Sequence, residues 1–179
     1  LGWSLGGLIA LKMSLLHPQK IHRMVLVGGT PCFINQTDWS CGVDVRDFND
    51  FADKLFKDYK STMINFYTLQ LMHSKDSKFL IKKLKEINEK SDPPKIKSLQ
   101  LGLDILLNND LRDDINKINH KTLLIVGDMD RLTPKSASIW LEGHLKEARL
   151  KVIQGASHIP FLSHSHEFFD HLDQFLLAA

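Results

Sequence analysis

The chain opens Leu1-Gly-Trp-Ser-Leu-Gly-Gly-Leu8 and runs directly into helix-forming residues. A serine with glycine two positions before and two after it, set against a helix start, fits a strand that turns sharply into a helix. Such a turn forces the serine into a strained backbone conformation and crowds its neighbours, and glycine on each side removes Cβ atoms that would clash. The turn lifts the Ser4 hydroxyl above a sheet and puts a helix N-terminus beneath it. The Leu5 N–H then points where an oxyanion would form. Gly-x-Ser-x-Gly also occurs in flexible loops, so the rest of the chain must supply the context.

That context is an α/β pattern interrupted by helices. Gly6–Leu16 is helix-forming throughout and is stopped by His17-Pro18. Met24–Val27 is a short apolar run closed by Gly28-Gly29, as expected of a buried parallel strand. In residues 31–117, Phe48, Phe51, Ala52, Leu55, Phe56, Tyr59, Met63 and Phe66 recur at three- and four-residue steps, which predicts one helix face. A second helix is predicted over Ser77–Glu89, with Leu80, Leu84 and Ile87 as its apolar stripe. Pro93-Pro94 stops it, and a third helix is predicted over Ile96–Leu107. The strand–helix alternation then returns with Thr122–Val126, Pro134–Leu145, Arg149–Ile153 and an amphipathic His166–Leu177.

Composition narrows the class further. At 179 residues, 43% hydrophobic and 25% charged, the chain fits one soluble globular domain and neither a disordered tail nor a disulfide miniprotein. Apolar runs such as Leu123–Val126 are far too short to span a membrane. A net charge of +2 argues against a dedicated nucleic-acid binder. Cys32 and Cys41 could pair, and they fit the free thiols of a reducing compartment equally well. The first residue is Leu1 and the chain begins in what reads as the middle of a domain, so upstream sequence is expected.

Two later segments supply partners for Ser4. Thr122–Gly127 is followed by Asp128-Met-Asp-Arg-Leu-Thr-Pro134, which sets a carboxylate just past the C-terminal end of a strand. Sites of open α/β sheets gather at that edge. Asp130 is the chosen acid because it stands clear of the strand, Asp128 is the alternative, and either could simply cap the helix at Pro134. His158 falls in the loop after the last predicted strand. The order Ser4, Asp130, His158 suits a triad in which His158 takes the serine proton and Asp130 holds the imidazole tautomer. His158, His164, His166 and His171 match no common zinc spacing, so no metal site is expected. Gly28-Gly29 lacks the Lys-Ser/Thr of a phosphate loop.

These residues resemble the α/β-hydrolase superfamily, and within it the pimeloyl-[acyl-carrier protein] methyl ester esterases of biotin synthesis. The likeness rests on the Leu1–Leu8 elbow, Pro31-Cys-Phe33, Asp38-Trp39, Phe66-Tyr-Thr-Leu-Gln70, Leu103–Leu107, Asp110-Leu-Arg112 and Ala156–His164. It implies a partial α/β-hydrolase fold, a mostly parallel sheet flanked by helices, with core segments 1–33 and 118–179 and a helical lid at 34–117. It implies a catalytic Ser4, Asp130 and His158, the Leu5 amide as an oxyanion donor, and Phe66, Tyr67, Thr68, Leu69 and Gln70 lining an acyl pocket. The family's earlier strands, the strand feeding the elbow and the loop carrying a second oxyanion donor are expected to be missing here, which would leave these residues inactive alone. Asn65 stands where a basic residue is common in the family.

The resemblance further implies a cytoplasmic serine carboxylesterase without metal or organic cofactor, acting on an acyl-carrier protein substrate, monomeric, and without nucleic-acid or membrane partners. A general short-chain esterase of the same fold and a non-catalytic acyl-carrier-binding module are the alternatives. Lys75, Lys78, Lys82 and Lys85 fall within one quarter of a helical wheel, opposite Leu80, Leu84 and Ile87. That row either docks an acidic carrier protein or is a plain solvated face.

Overall fold

The computed structural model describes residues 1–71, 74 and 76–178. Four strands, β1 (Gly2–Trp3), β2 (Arg23–Val27), β3 (Lys121–Gly127) and β4 (Ala148–Ile153), form one parallel sheet in the order β1-β2-β3-β4. The register sets Trp3 opposite Val27, Leu26 opposite Leu124 and Leu124 opposite Leu150. The strand feeding the elbow was expected to be absent. Instead Gly2 and Trp3 form a strand directly before Ser4, paired with Leu26 and Val27.

Side chains alternate across a strand, and each face of this sheet has its own helical cover. Met24, Leu26 and Leu124 pack with Leu8 and Leu11 of α1 (Leu5–Leu16) and with Leu141 of α6 (Lys135–His144). Val25, Val27, Leu123 and Ile125 pack on the other face with Phe168 of α8 (Ser165–Leu177). A short α7 (Pro160–Ser163) precedes α8. Helix α1 is apolar nearly all round, yet Ile9, Met13 and Leu16 are exposed, on a helix beside the edge strand β1.

Between β2 and β3 lie α2 (Val45–Lys57), α3 (Tyr59–Leu71), α4 (Ser77–Lys90) and α5 (Ile96–Asn108). The apolar run from Phe48 to Phe66 is two helices rather than one face of a single helix. Asp58 breaks it: its backbone leaves the helical region, and its side chain accepts from the Ser61 N–H at 3.1 Å, which caps the new helix. Phe51 and Phe66 therefore meet between helices, with ring centroids 5.8 Å apart. On α4, Leu80 and Leu84 are half-buried while Ile87 is exposed, so the stripe packs less than its spacing predicts. Lys78, Lys82 and Lys85 are exposed, and Lys75 lies outside the described residues.

The two ends of this helical segment are tied together. Cys32 and Asp110 form an antiparallel bridge, and the Leu111 N–H donates to the Pro31 carbonyl at 2.9 Å. The Arg112 guanidinium donates to Asp110 at 2.7 Å and to Asp38 at 3.1 Å, and lies 5.4 Å from the Trp39 ring centroid. The Trp39 indole donates to the Cys32 carbonyl at 3.0 Å. Burial, with Asp110 nearby, pushes the Cys32 thiol up to about 11, so it stays protonated. Both cysteines are free. No helix among the described residues is long and apolar enough to cross a membrane.

Candidate active site

Ser4 occupies the apex of the β1–α1 turn with φ 54° and ψ −120°, and it is the one non-glycine residue with positive φ among the described residues. Such strain is held only where its surroundings over-determine it. Here the Ser4 N–H donates to Val27 O at 3.0 Å, and its carbonyl accepts from Gly7 N at 2.8 Å. The hydroxyl makes no capping bond, which leaves it available for chemistry. The Leu5 N–H, in the first turn of α1, has no carbonyl partner among the described residues.

The glycines around the turn differ from the sequence expectation. A Cβ on Gly2 would overlap the Gly6 carbonyl, so that position tolerates no side chain. A Cβ on Gly6 would meet nothing within 4 Å, whereas one on Gly7 would stand 3.2 Å from the Gly29 Cα. The close approaches are therefore at Gly2 within the turn and at Gly7, where helix meets the end of β2.

At the C-terminal ends of β3 and β4, Asp130 and His158 form a buried pair, Nδ1 to Oδ2 at 2.8 Å, with side-chain exposures of 1% and 0%. Asp130 Oδ1 accepts from the Leu132 and Thr133 N–H groups at 2.9 Å each, and Oδ2 accepts from the Thr133 hydroxyl at 2.9 Å. So surrounded by donors, the carboxylate accepts from Nδ1–H, and in the neutral ring Nε2 carries the lone pair. Nε2 is buried and has no hydrogen-bond partner among the described residues, so the serine–histidine link is open. Such links commonly tighten only when substrate binds.

Asp128 has a different place. Its Oδ1 accepts from Gly155 N at 2.6 Å, and with Met129 N donating to Ala156 O at 2.9 Å it laces the two loops together. The chain at His158 is further fixed by Trp3, whose indole N–H donates to the His158 carbonyl at 2.8 Å.

Of the five residues assigned to an acyl pocket, Phe66 and Gln70 reach this centre. Phe66 presents its edge to the His158 ring at 6.4 Å, and the Gln70 carbonyl oxygen accepts from Ser157 Oγ at 2.9 Å and His158 N at 3.2 Å. Tyr67 packs beside Phe66. The Thr68 hydroxyl donates to Ile64 O within its own helix, and Leu69 is 62% exposed. Sequence reasoning missed Thr133, Trp3 and Gly28 around His158. Only Thr133 had a signal, a hydroxyl three residues after Asp130 at a turn-forming spacing. A cleft at Arg23, Thr122 and Arg149 lies at the opposite ends of the strands and holds none of these groups. No group of three or more His, Cys, Asp or Glu that could hold a metal ion occurs among the described residues.

A serine in a strained strand–helix turn whose preceding residue, Trp3, bonds the loop of a buried histidine–carboxylate pair at the strand ends is the arrangement of the α/β hydrolase class. The chain belongs to the alpha/beta hydrolase fold family, whose pattern matches residues 1–165. It is similar to proteins named pimeloyl-[acyl-carrier protein] methyl ester esterase. With that of Nitrosomonas europaea it shares 37% identity over 172 residues, 96% of this chain and 68% of the relative. With that of Nitrosospira multiformis it shares 32% over 174 residues, 97% of this chain and 66% of the relative. The chain thus spans about two thirds of these relatives' length. The solved structure of an esterase (EaEST) from Exiguobacterium antarcticum superimposes with a TM-score of 0.88 at 22% identity, over 99% of this chain and 65% of that one. At that identity the likeness is one of fold.

Proposed function

We propose that the protein is a serine carboxylesterase that hydrolyses the methyl ester of a pimeloyl group carried by an acyl-carrier protein. The observation that carries the reading is the 37% identity over 96% of the chain to an esterase of that name. The buried Asp130–His158 pair is the chemistry such a reaction needs.

In this reading Ser4 Oγ attacks the ester carbonyl while His158 Nε2 accepts its proton. Asp130 stabilises the resulting imidazolium, and the Leu5 N–H donates to the oxyanion. Collapse of the tetrahedral adduct breaks the bond to the methoxy oxygen, which leaves as methanol with the proton from His158. Water then attacks the acyl-Ser4 ester, gives its proton to His158, and releases the free carboxylate. Phe66 and Gln70, with Tyr67 beside Phe66, border the acyl chain, and the exposed Lys78, Lys82 and Lys85 offer a cationic face to the acidic carrier. The core is taken as 1–33 with 118–179 and the lid as 34–117, in a cytoplasmic monomer that needs no cofactor.

The test is to incubate the complete protein with the carrier-bound pimeloyl methyl ester and measure methanol and the free carboxylate. Stoichiometric release, abolished in Ser4→Ala, is expected. Hydrolysis of small esters but not of the carrier-bound one would make the protein a general esterase. No turnover of any ester, with Ser4 inert to an organophosphonate, would make it a binding module.

A further inference from the structure

Gln70 sits in the last turn of α3, outside the core sheet, yet its side chain reaches the loop that carries His158. Its amide oxygen receives two bonds, from the Ser157 hydroxyl at 2.9 Å and from the His158 backbone N–H at 3.2 Å. A backbone N–H can only donate, so the atom facing it must be the oxygen, which fixes the amide's orientation. The other side of the same residue is held by Trp3, which donates to the His158 carbonyl at 2.8 Å. His158 is thus gripped at both its N–H and its C=O.

The two grips come from different parts of the molecule. Trp3 ends β1 in the core sheet, as the Asp130 loop follows β3, whereas Gln70 belongs to α3. Among the described residues, every hydrogen bond from residues 34–117 to the two loops of the triad comes from Gln70. Helix α3 is in turn tied to α4, with Lys60 Nζ donating to Glu89 O and Asn88 Nδ2 to Lys60 O, each at 3.0 Å. The donors are also unequal. Ser157 has a second acceptor in Met129 O at 3.4 Å, while the His158 N–H has Gln70 alone. Losing the Gln70 oxygen would leave that N–H unsatisfied in a site where His158 is 0% exposed.

We propose that Gln70 is a positioning residue for His158, a strap from the helical lid that keeps the imidazole aligned between Asp130 and Ser4 and makes the triad's alignment depend on the lid being seated. The inference rests on the serine-esterase reading above but gives Gln70 a task separate from lining the acyl chain. A small displacement of a catalytic group lowers the rate of the chemical step, while a lost pocket contact weakens binding of the long acyl chain.

The experiment measures kcat and KM of the complete enzyme, its Gln70→Leu and its Gln70→Glu variants on two substrates. One is an acetyl ester, too short to fill an acyl pocket; the other is the carrier-bound pimeloyl methyl ester. Gln70→Leu is expected to lower kcat on the acetyl ester about ten- to hundredfold with little change in KM. Gln70→Glu retains an oxygen in the acceptor position and should recover most of that loss. A Gln70→Leu enzyme with unchanged kcat on the acetyl ester and a raised KM for the pimeloyl ester would overturn the proposal and leave a simple pocket residue. Equal loss in both variants would also overturn it, because the acceptor would not matter. Should Gln70→Leu fail to fold, Gln70→Asn decides, because its shorter side chain withdraws the acceptor from the His158 N–H. A lowered kcat on the acetyl ester at unchanged KM, with Gln70→Glu retaining more, supports the strap, and a native kcat in Gln70→Asn refutes it. Wild-type enzyme that cleaves the acetyl ester but not the carrier-bound ester would sink the substrate assignment and leave the strap standing.

Discussion

A Cβ built on Gly28 would lie 2.9 Å from Nδ1 and 3.0 Å from Cε1 of His158. Gly28 directly follows β2 in the left-handed region, φ 52°, with its N–H donated to Ile125 O at 2.9 Å. The imidazole therefore rests directly on a glycine backbone, on the side of the ring where Nδ1 meets Asp130. The space that a side chain would take at the end of β2 is the space the histidine uses.

Gly28→Ala should accordingly damage both the chemistry and the fold. The new methyl would press on His158 and on Thr133 Oγ1, 3.1 Å from the built Cβ, and would strain a positive-φ position. A loss of about 1–2 kcal/mol in stability is expected from the backbone alone. A kcat lower by about a hundredfold on a small ester is expected from the displaced ring. Urea unfolding and steady-state kinetics separate the two effects.

The carboxylates should divide sharply. Asp130→Asn removes the acceptor that fixes the His158 tautomer and should reduce kcat by several orders of magnitude, as should Ser4→Ala and His158→Ala. Asp128→Asn alters a loop contact to Gly155 and should be mild. A more severe loss in Asp128→Asn than in Asp130→Asn would reverse the assignment of the acid.

Thr133→Val tests the support beneath that acid. It keeps the shape but removes the hydroxyl that donates to Asp130 Oδ2 at 2.9 Å, while the backbone donors to Oδ1 remain. About 1 kcal/mol of stability and about tenfold in kcat should be lost, with KM unchanged. A raised KM with native kcat would contradict this role.

Acid should loosen the tie at the ends of the helical segment. Burial alone would raise the Asp110 carboxyl, but its bonds to Arg112 outweigh this and hold it below the usual carboxylate range. A depressed carboxylate stabilises the fold fully above its unfolded value, and that contribution is lost as pH falls through the folded one. Arg112→Met should therefore lower the melting temperature at neutral pH, and the gap from wild type should shrink below about pH 4. A gap independent of pH would show that Arg112 acts through packing on Trp39 instead.

Charge reversal on α4 probes the carrier. Lys78→Glu with Lys82→Glu should raise KM for the carrier-bound ester, more at low than at high salt, and leave a small uncharged ester nearly unaffected. Equal loss on both substrates would indicate a misfolded lid, and no loss on either would leave these lysines as a solvated face.

Much of this protein is legible along the chain. The Gly2-Trp-Ser-Leu-Gly6 turn and the apolar runs at Met24–Val27 and Thr122–Val126 are local patterns, set by steric demands and side-chain periodicity within a few residues, whereas the order Ser4, Asp130, His158 reads as a site only against a known arrangement. The local pattern failed at Asp58, where one apolar face was broken by a single capping carboxylate, and at Gly6, where an added Cβ would meet open space. What only the tertiary structure decided are contacts between segments far apart in sequence: Trp3 and Gln70 on the two sides of His158, Gly28 beneath its ring, and Arg112 bridging Asp110 to Asp38. None of these leaves a periodicity, because each depends on which strand ends and helix turns the parallel sheet brings to one edge. Sequence names the groups that can react, and packing across the sheet decides which neighbours hold them in place.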